Sequence, residues 1–389
     1  MDVPKLRFPE FNEGWKNYKL GSISKMYSGG TPKTSNKNYY GGNIPFIKSG
    51  EINNTTTSQC LTEIGIKESS AKKVNKGDLL FALYGATSGE VAISKIDGAI
   101  NQAVLKIDNN MNKVFQYNYF IKRKSQIIRK YIQGGQGNLS AKIIKNLEFY
   151  YPTLNEQEKI ANFLSVVDKK IELMERKHKL IKKYKNGLMH EIFTQNIKFS
   201  NNELGLFKLG EIVELMRNGS NEVQVNFETE FPVTRIETIS KGNINFDKVG
   251  FVETIDKSYQ LKKGDILLSN INSLKYIGNC VYFDMDKILY HGMNLMLIRF
   301  KENFNKKFLY YYIKYHKNWF QRMACQAVNQ ASINQTSLKK FPFIIPKLKT
   351  DQDKIADFLS EMDNKIDFVE QQLEKIKEFK KYLLQQMFI

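Results

Sequence analysis

The stretch Gln157-Glu-Lys-Ile-Ala-Asn-Phe-Leu-Ser165 returns as Gln352-Asp-Lys-Ile-Ala-Asp-Phe-Leu-Ser360, an offset of 195 residues. From there the offset holds without a gap. Asp168 matches Asp363, Ile171 matches Ile366, Glu175 matches Glu370, Ile181 matches Ile376 and Phe193 matches Phe388. Upstream the two copies still correspond, but the offset drifts. KGDLL at 76–80 answers KGDIL at 263–267 with an offset of 187, and Leu20-Gly21 answers Leu209-Gly210 with 189. Leu139-Ser140 before Pro152 answers Ile333-Asn334 before Pro346 with 194. Insertions are accepted in the first part of each unit, where loops can absorb them, and not in the second, where a helix cannot. The chain reads as a tandem duplication with units of about 1–195 and 196–389.

The gapless parts predict two long helices. From Ile160 onward apolar residues recur with 4,3 spacing at Leu164, Val167, Ile171, Met174, Ile181, Leu188 and Ile192, broken only by His178 and Lys185. The second copy places Ile355, Leu359, Met362, Ile366, Val369, Leu373, Ile376, Leu383 and Met387 on the same stripe, broken at Lys380. A period of 3.5 sustained in this way is a coiled-coil seam, and 38 residues of helix make a rod of roughly 57 Å. A stripe of this kind needs a partner to cover it, and the other copy is suited to the task. Residues 156–193 carry nine Lys/Arg and six Asp/Glu, or +3, whereas residues 351–388 carry six and nine, or −3. Opposite signs favour the mixed pair over self-pairing. The helix-pairing residues are therefore read as Ile160, Leu164, Val167, Ile171 and Met174 in the first copy and Ile355, Leu359, Met362, Ile366 and Val369 in the second. Pairing two identical units about a pseudo-two-fold axis makes the rods antiparallel, with a domain at each end and the rod as a ruler between them.

The whole chain carries 59 Lys+Arg against 40 Asp+Glu, a formal charge of +19 at pH 7. Since the rods cancel, that excess belongs to the globular parts. It favours a polyanionic partner, nucleic acid ahead of an anionic membrane. No run of 18 apolar residues offers a membrane span, and the opening residues lack a secretory core. Three scattered cysteines, Cys60, Cys280 and Cys325, fit a reducing cytoplasm rather than a disulfide framework or metal site. The expected location is cytoplasmic.

The globular parts alternate short strands with turns. Asp78–Leu83, Val91–Ser94, Asp265–Ser269 and Asn279–Phe283 read as strands, followed by helical stretches at about 114–131 and 305–322. The aromatic residues of those stretches, Phe115, Tyr119, Phe120, Phe308, Tyr311, Tyr312 and Trp319, read as core. The fold class is α/β of the α+β kind, with two similar mixed α/β globular domains separated by two long antiparallel coiled-coil helices in a pseudo-two-fold tandem repeat. The divisions fall at 1–152, 153–195, 196–346 and 347–389.

Polar turns supply the candidate contacts to a nucleic acid. Asn and Gln can pair two-pronged with adenine, Arg and Lys with guanine, and hydroxyls with either. The candidates in the first copy are Thr31, Lys33, Lys48, Tyr84, Thr87, Ser88, Gln136 and Asn138. In the second copy they are Arg217, Asn218, Arg235, Asn270, Asn272, Ser273, Lys275, Asn329 and Gln330. The copies differ most over about 31–72 against 217–258, as two readers of different sequences would.

Catalytic signatures are missing. The chain has no Pro-Pro pair for an adenine-methylating motif, none of its eight prolines precedes Asp, and no P-loop occurs. His190-Glu191 begins like a zinc-protease motif, but Thr stands at position 194. No metal site and no enzyme activity are expected.

A family resemblance rests on specific residues. Val3-Pro-Lys-Leu-Arg-Phe-Pro-Glu-Phe11 with Trp15, Leu20-Gly21, Gly29-Gly-Thr-Pro32, the Lys-Gly-Asp strand starts, and Pro152-Thr-Leu-Asn-Glu-Gln157 followed by Ile160 carry it. Across essentially its full length the chain resembles the specificity subunit of Type I restriction–modification systems. The second copy departs at Lys349-Thr350-Asp351-Gln352, where Asp replaces the Glu of Glu-Gln. The resemblance implies two target-recognition domains, each reading half of a split, asymmetric double-stranded DNA site, with the helices setting the gap. It further implies two methyltransferase subunits that flip an adenine in each half, and translocating restriction subunits added to that core. S-adenosylmethionine, ATP and Mg²⁺ would belong to those partners and none to this chain. A stand-alone methyltransferase remnant and a DNA-binding transcriptional regulator are the alternative readings.

Overall fold

A computed structural model describes residues 3–131, 138–199, 203–239, 242–326 and 330–389. The chain forms two compact units. The first joins Met1–Arg176 to Glu370–Ile389, and the second is Lys177–Val369. Both long helices, Leu154–Phe193 and Lys349–Met387, contribute a segment to each unit. None of the described helices is long and apolar enough to cross a membrane.

The first unit is built on a four-stranded antiparallel sheet in the order Lys25–Ser28, Val104–Asp108, Leu79–Ala82, Val91–Ile93. Leu79–Ala82 is apolar and buried throughout, as a central strand covered on both faces must be. Helix Lys113–Tyr131 lays Phe115, Tyr119, Phe120 and Ile127 into the core beside it. The ribbon Lys16–Lys19 with Glu148–Tyr151 then leads into the first long helix. A second sheet, Cys60–Leu61, Tyr40–Ile47, Gly98–Ile100 and Lys72–Val74, includes one parallel pairing.

The second unit repeats the frame. Its main sheet runs Val213–Asn218, Met296–Phe300, Ile266–Leu268, Cys280–Tyr282, and its ribbon pairs Leu204–Lys208 with Pro342–Pro346. The helical stretch expected over 305–322 is two helices, Lys306–Tyr315 and Lys317–Met323. They are divided at His316, whose φ/ψ of −84°/20° leaves the helical basin. Where the first unit has its four-stranded second sheet, the described residues of this unit form a three-stranded one, Gln224–Val225, Gly250–Val252 and Phe231–Val233. The stretch of greatest sequence divergence is thus the stretch whose sheet differs.

The long helices run antiparallel inside each unit. Lys380 Nζ lies 2.5 Å from Asp168 Oδ1 and Lys377 Nζ 2.8 Å from Glu175 Oε1 in the first unit. Lys185 Nζ lies 2.5 Å from Asp363 Oδ1 in the second. The seam does more than join helix to helix. Ile160, Leu164 and Val167 enter the first unit's core with Leu383, Leu384, Met387 and Phe388, and Ile171 packs on its edge. Ile355 and Leu359 enter the second unit's core with Met189 and Ile192. Met362, Ile366 and Val369 are buried, and Met174 is half-buried. Each globular core is therefore closed by the start of its own long helix and the end of the other copy's.

Candidate nucleic-acid interface

The turn that starts the central strand is built the same way in both units. Gly77 and Gly264 have φ of +90° and +92°, a conformation that glycine adopts without strain. The next residue, Asp78 or Asp265, turns its carboxylate back to accept the N–H of Asn75 at 2.8 Å or of Lys262 at 2.7 Å. A cation from the neighbouring strand completes each site. Lys106 lies 2.6 Å from Asp78, and Arg299 makes two bonds of 2.7 Å to Asp265. Burial alone would push the Asp78 carboxyl up; the Lys106 ammonium, the Asn75 N–H and the Lys113 ammonium hold it below its ordinary value. The Asp265 carboxylate raises the Arg299 guanidinium against the opposing effect of burial. The Lys-Gly-Asp motif is thus a strand anchor, and these strands begin one residue later than the sequence pattern suggests because the Asp belongs to the turn.

The buried glutamine of the helix start is a second anchor. Gln157 Nε2 donates to Pro152 O at 2.9 Å and its Oε1 accepts the N–H of Asn112 at 3.0 Å. Gln352 repeats this with Pro346 O at 2.8 Å and the N–H of Asn305 at 2.9 Å. Asn112 and Asn305 in turn cap the core helices. The amide of this motif therefore locks the long helix to the core helix in both copies. Glu156 adds an ion pair to Arg7 at 2.8 Å and accepts from the Trp15 indole at 3.2 Å.

On this frame the polar turns are brought together in pairs. Leu139 N donates to Leu83 O at 2.8 Å, placing Asn138 beside the Tyr84–Ser88 turn. The equivalent bond, Ile333 N to Asn270 O at 2.9 Å, joins the corresponding turns of the second unit. There Ile271–Asn272 and Ala331–Ser332 continue into a three-stranded sheet with Cys325–Gln326. Tyr84, Asn138, Ser273, Lys275 and Gln330 are exposed, and Thr87, Ser88 and Asn272 are half-buried. Ser88 donates to Leu83 O at 2.9 Å, and Asn272 braces Ser269 and the N–H of Ser273. Asn270 corrects the sequence reading. It is only 3% exposed, and its side-chain amide donates to Ile333 O at 3.3 Å, so it holds the turn from inside instead of meeting a ligand. Gln136 and Asn329 lie outside the described residues.

The remaining candidates lie on the divergent parts. Thr31 and Lys33 are exposed, and Thr31 Oγ1 donates to Gln102 Oε1 at 2.7 Å. The backbone reaches Thr31 through Gly29, where a Cβ would sit 1.7 Å from Ile100 O; in the second unit Gly219 makes the same kind of approach, 1.9 Å from Gly292 O. Lys48 is half-buried at the start of a short 3-10 turn. Arg217 stacks 3.9 Å over the Tyr259 ring and donates to Ser258, and Asn218 beside it is exposed. Arg235 donates to Gln224 Oε1 on the small sheet. Gln102, Gln224 and Tyr259 were not among the sequence candidates. Nothing local marks them, since each lies far along the chain from the residue it orients or in a stretch with no counterpart.

The described geometry is that of two equivalent scaffolds carrying unlike polar surfaces. A family model described as the type I restriction modification DNA specificity domain matches residues 12–183 and again 201–378. The chain belongs to this family. Its members are the non-catalytic specificity subunits of type I restriction–modification systems, which recognise DNA sequence. The chain is similar to the MjaX type I restriction enzyme specificity subunit of Methanocaldococcus jannaschii, with 40% identity over 189 residues. That match spans 46% of this chain and 44% of the relative. The MjaVIII specificity subunit of the same organism is 25% identical over 404 residues, covering 97% of this chain and 92% of its own. The fold is also that of the S subunit of the M. genitalium Type-I restriction-modification system, with a TM-score of 0.63 at 17% identity, covering 100% of this chain and 99% of that one.

Proposed function

We propose that each unit of this specificity subunit reads one half of a split, asymmetric duplex DNA site, and that the two long helices set the gap between the halves. The observation that carries the reading is the repetition of the frame, bond for bond at Asp78/Asp265, Gln157/Gln352 and Leu139/Ile333, beneath surfaces that differ. A duplicated scaffold with unlike faces suits two different half-sites. Two methyltransferase subunits bind this chain and act on an adenine in each half, and restriction subunits join that core. S-adenosylmethionine, ATP and Mg²⁺ are held by those partners, and this chain supplies the address. Exchange of residues 1–150 for the matching domain of another family member tests the proposal through the methylated motif. One half should change and the other persist; a change in both halves, or in neither, would sink it.

A further inference from the structure

We propose that a cleft at the end of helix Lys113–Tyr131 in the first unit binds a phosphodiester group of the DNA backbone, and that the second unit has no equivalent. The inference rests on the DNA-reading function above. The cleft, of about 570 Å³, lies between the last turns of that helix and the Asn146–Glu148 segment. Arg123, Gln126, Arg129 and Lys130 line one side, a spacing that places them on neighbouring turns of one helical face. Asn146 lines the other side. The carboxylate on the rim, Glu148, leans toward Asn17 Nδ2 at 3.4 Å. Arg123 is held in place, with its guanidinium 4.7 Å over the Phe149 ring and donating to Glu148 O. Arg129 has no carboxylate in salt-bridge reach among the described residues, and Lys130 lies only over the Tyr131 ring. Unpaired guanidinium and ammonium groups with amide donors around a concavity are the chemistry that holds a phosphate.

Cations in the last turn of a helix also answer its dipole, which accounts for a basic residue there but not for a cleft. The duplicate shows the difference. Helix caps Asn112 and Asn305 fix the correspondence, and it continues through Tyr119 and Tyr312, which lie 4.9 Å from Phe149 and 4.9 Å from Phe343. On that register His316, Trp319 and Phe341 stand where the first unit has Arg123, Gln126 and Leu147, and Arg322 and Met323 where it has Arg129 and Lys130, so one cation is kept and the other lost. Trp319 packs 4.9 Å and His316 5.9 Å from the Phe341 ring, so the same place is filled with aromatic rings. The fold does not need the opening. The same helical end carries Ile128, against which Gly89 packs at the close of the Tyr84–Ser88 turn. Cleft and polar turn thus share one support, and a backbone phosphate beside the first half-site is the ligand that position suits.

The test measures duplex affinity against salt for the full chain assembled with a methyltransferase subunit. Two variants are compared with wild type, Arg129→Ala/Lys130→Ala and Gln126→Trp, which fills the cleft as Trp319 does and leaves the charges alone. Both should weaken cognate and non-cognate duplexes by the same factor of about 3 to 30, and the double variant should lower the salt slope by about 1 to 2. Unchanged affinity and slope in both variants, or a loss confined to the cognate duplex, would overturn the proposal. If the variants behave as expected but wild type shows no preference for a cognate duplex, the cleft stands and the sequence-reading function falls. If wild type keeps its preference and the variants match it, only the cleft falls.

Discussion

In the second unit the ammonium of Lys185 lies 2.5 Å from Asp363 Oδ1 and 4.6 Å from the centre of the Tyr311 ring. The duplication repeats this pair with the helices exchanged, since Lys380 meets Asp168 at 2.5 Å in the first unit. Each lysine breaks the apolar seam of its helix, Lys380 in the second copy and Lys185, with His178, in the first. A charge in such a seam is tolerated where its partner arrives, so each pair suits one register and an antiparallel partner. Burial lowers the Lys185 ammonium's pKa although Asp363 opposes it, so the cost of desolvation is not fully offset.

Removal of Asp363 should therefore cost more than removal of its partner. Asp363→Ala leaves a lysine side chain of 5% exposure without its carboxylate and the Tyr311 hydroxyl, which donates to Asp363 at 2.7 Å, with only Ser360 Oγ at 3.3 Å. A loss of about 3 kcal/mol is expected, against about 1 kcal/mol for Lys185→Met, which keeps the packing and removes the charge. Asp168→Ala should cost less than Asp363→Ala, because the Lys380 side chain is 16% exposed and reaches water more easily. Chemical denaturation of the three variants checks the order; equal losses would show that the pairs are incidental.

The exchange of helix ends gives a second expectation. Phe388 lies 5.0 Å from Phe115, 4.9 Å from Tyr119 and 6.4 Å from Trp15, and is 3% exposed. Its counterpart Phe193 lies 5.9 Å from Phe308 and 5.4 Å from Tyr312 but is only partly buried. Phe388→Ala should thus cost about 3 to 5 kcal/mol and Phe193→Ala distinctly less. Tryptophan fluorescence separates them, because Trp15 touches only the first of these rings. An unshifted Trp15 signal in Phe388→Ala would contradict the packing.

The repeat itself made much of this visible. A gapless offset over 157–193 and a drifting one before it distinguish helix from loop-rich domain, and the 3.5-residue stripe gives the seam. The exchange of helix ends was not visible, because Leu383 and Met387 continue the same stripe whether they cover a helix or a sheet. The buried role of Asn270 was hidden for a different reason. Asn suits a polar turn from inside or outside, and only the strand that arrives from Ile333 decides which. Arg217 on Tyr259 and Arg235 on Gln224 join positions with no match in the first copy, so the repeat could not supply them.

Acid should loosen the second unit before the first. All four histidines lie within it, and burial holds His291 down to about 4 and His316 down to about 4. Above an ordinary histidine pKa both folded and unfolded forms are neutral and the effect is nil. As pH falls from about 6.5 toward 4 the unfolded chain takes up protons that the folded chain refuses, so stability is lost across that window. For fully buried His291 the loss is roughly 2 kcal/mol at about pH 5. His291→Gln, which can still donate to Leu295 O, should flatten the pH dependence of the denaturation midpoint. A slope equal to wild type would remove His291 as the cause.

The unlike faces lead to the sharpest functional expectation. Tyr84 and Asn138 are exposed on the joined turns of the first unit, and Asn218 and Lys275 are exposed in the second. Among the described residues none of the four side chains makes a hydrogen bond into its own scaffold as Asn270 does, and Lys275 lies over the Tyr276 ring. Loss of a good two-pronged base contact costs about 1 to 3 kcal/mol of discrimination, so Tyr84→Ala/Asn138→Ala should relax one half of the methylated motif and Asn218→Ala/Lys275→Ala the other. Asn270→Ala should instead lower stability and leave the motif unaltered, because its amide serves Ile333. Methylome sequencing with each variant separates these outcomes. If the Asn270 variant alters the motif while the exposed pairs do not, bases are read from a different surface of the unit.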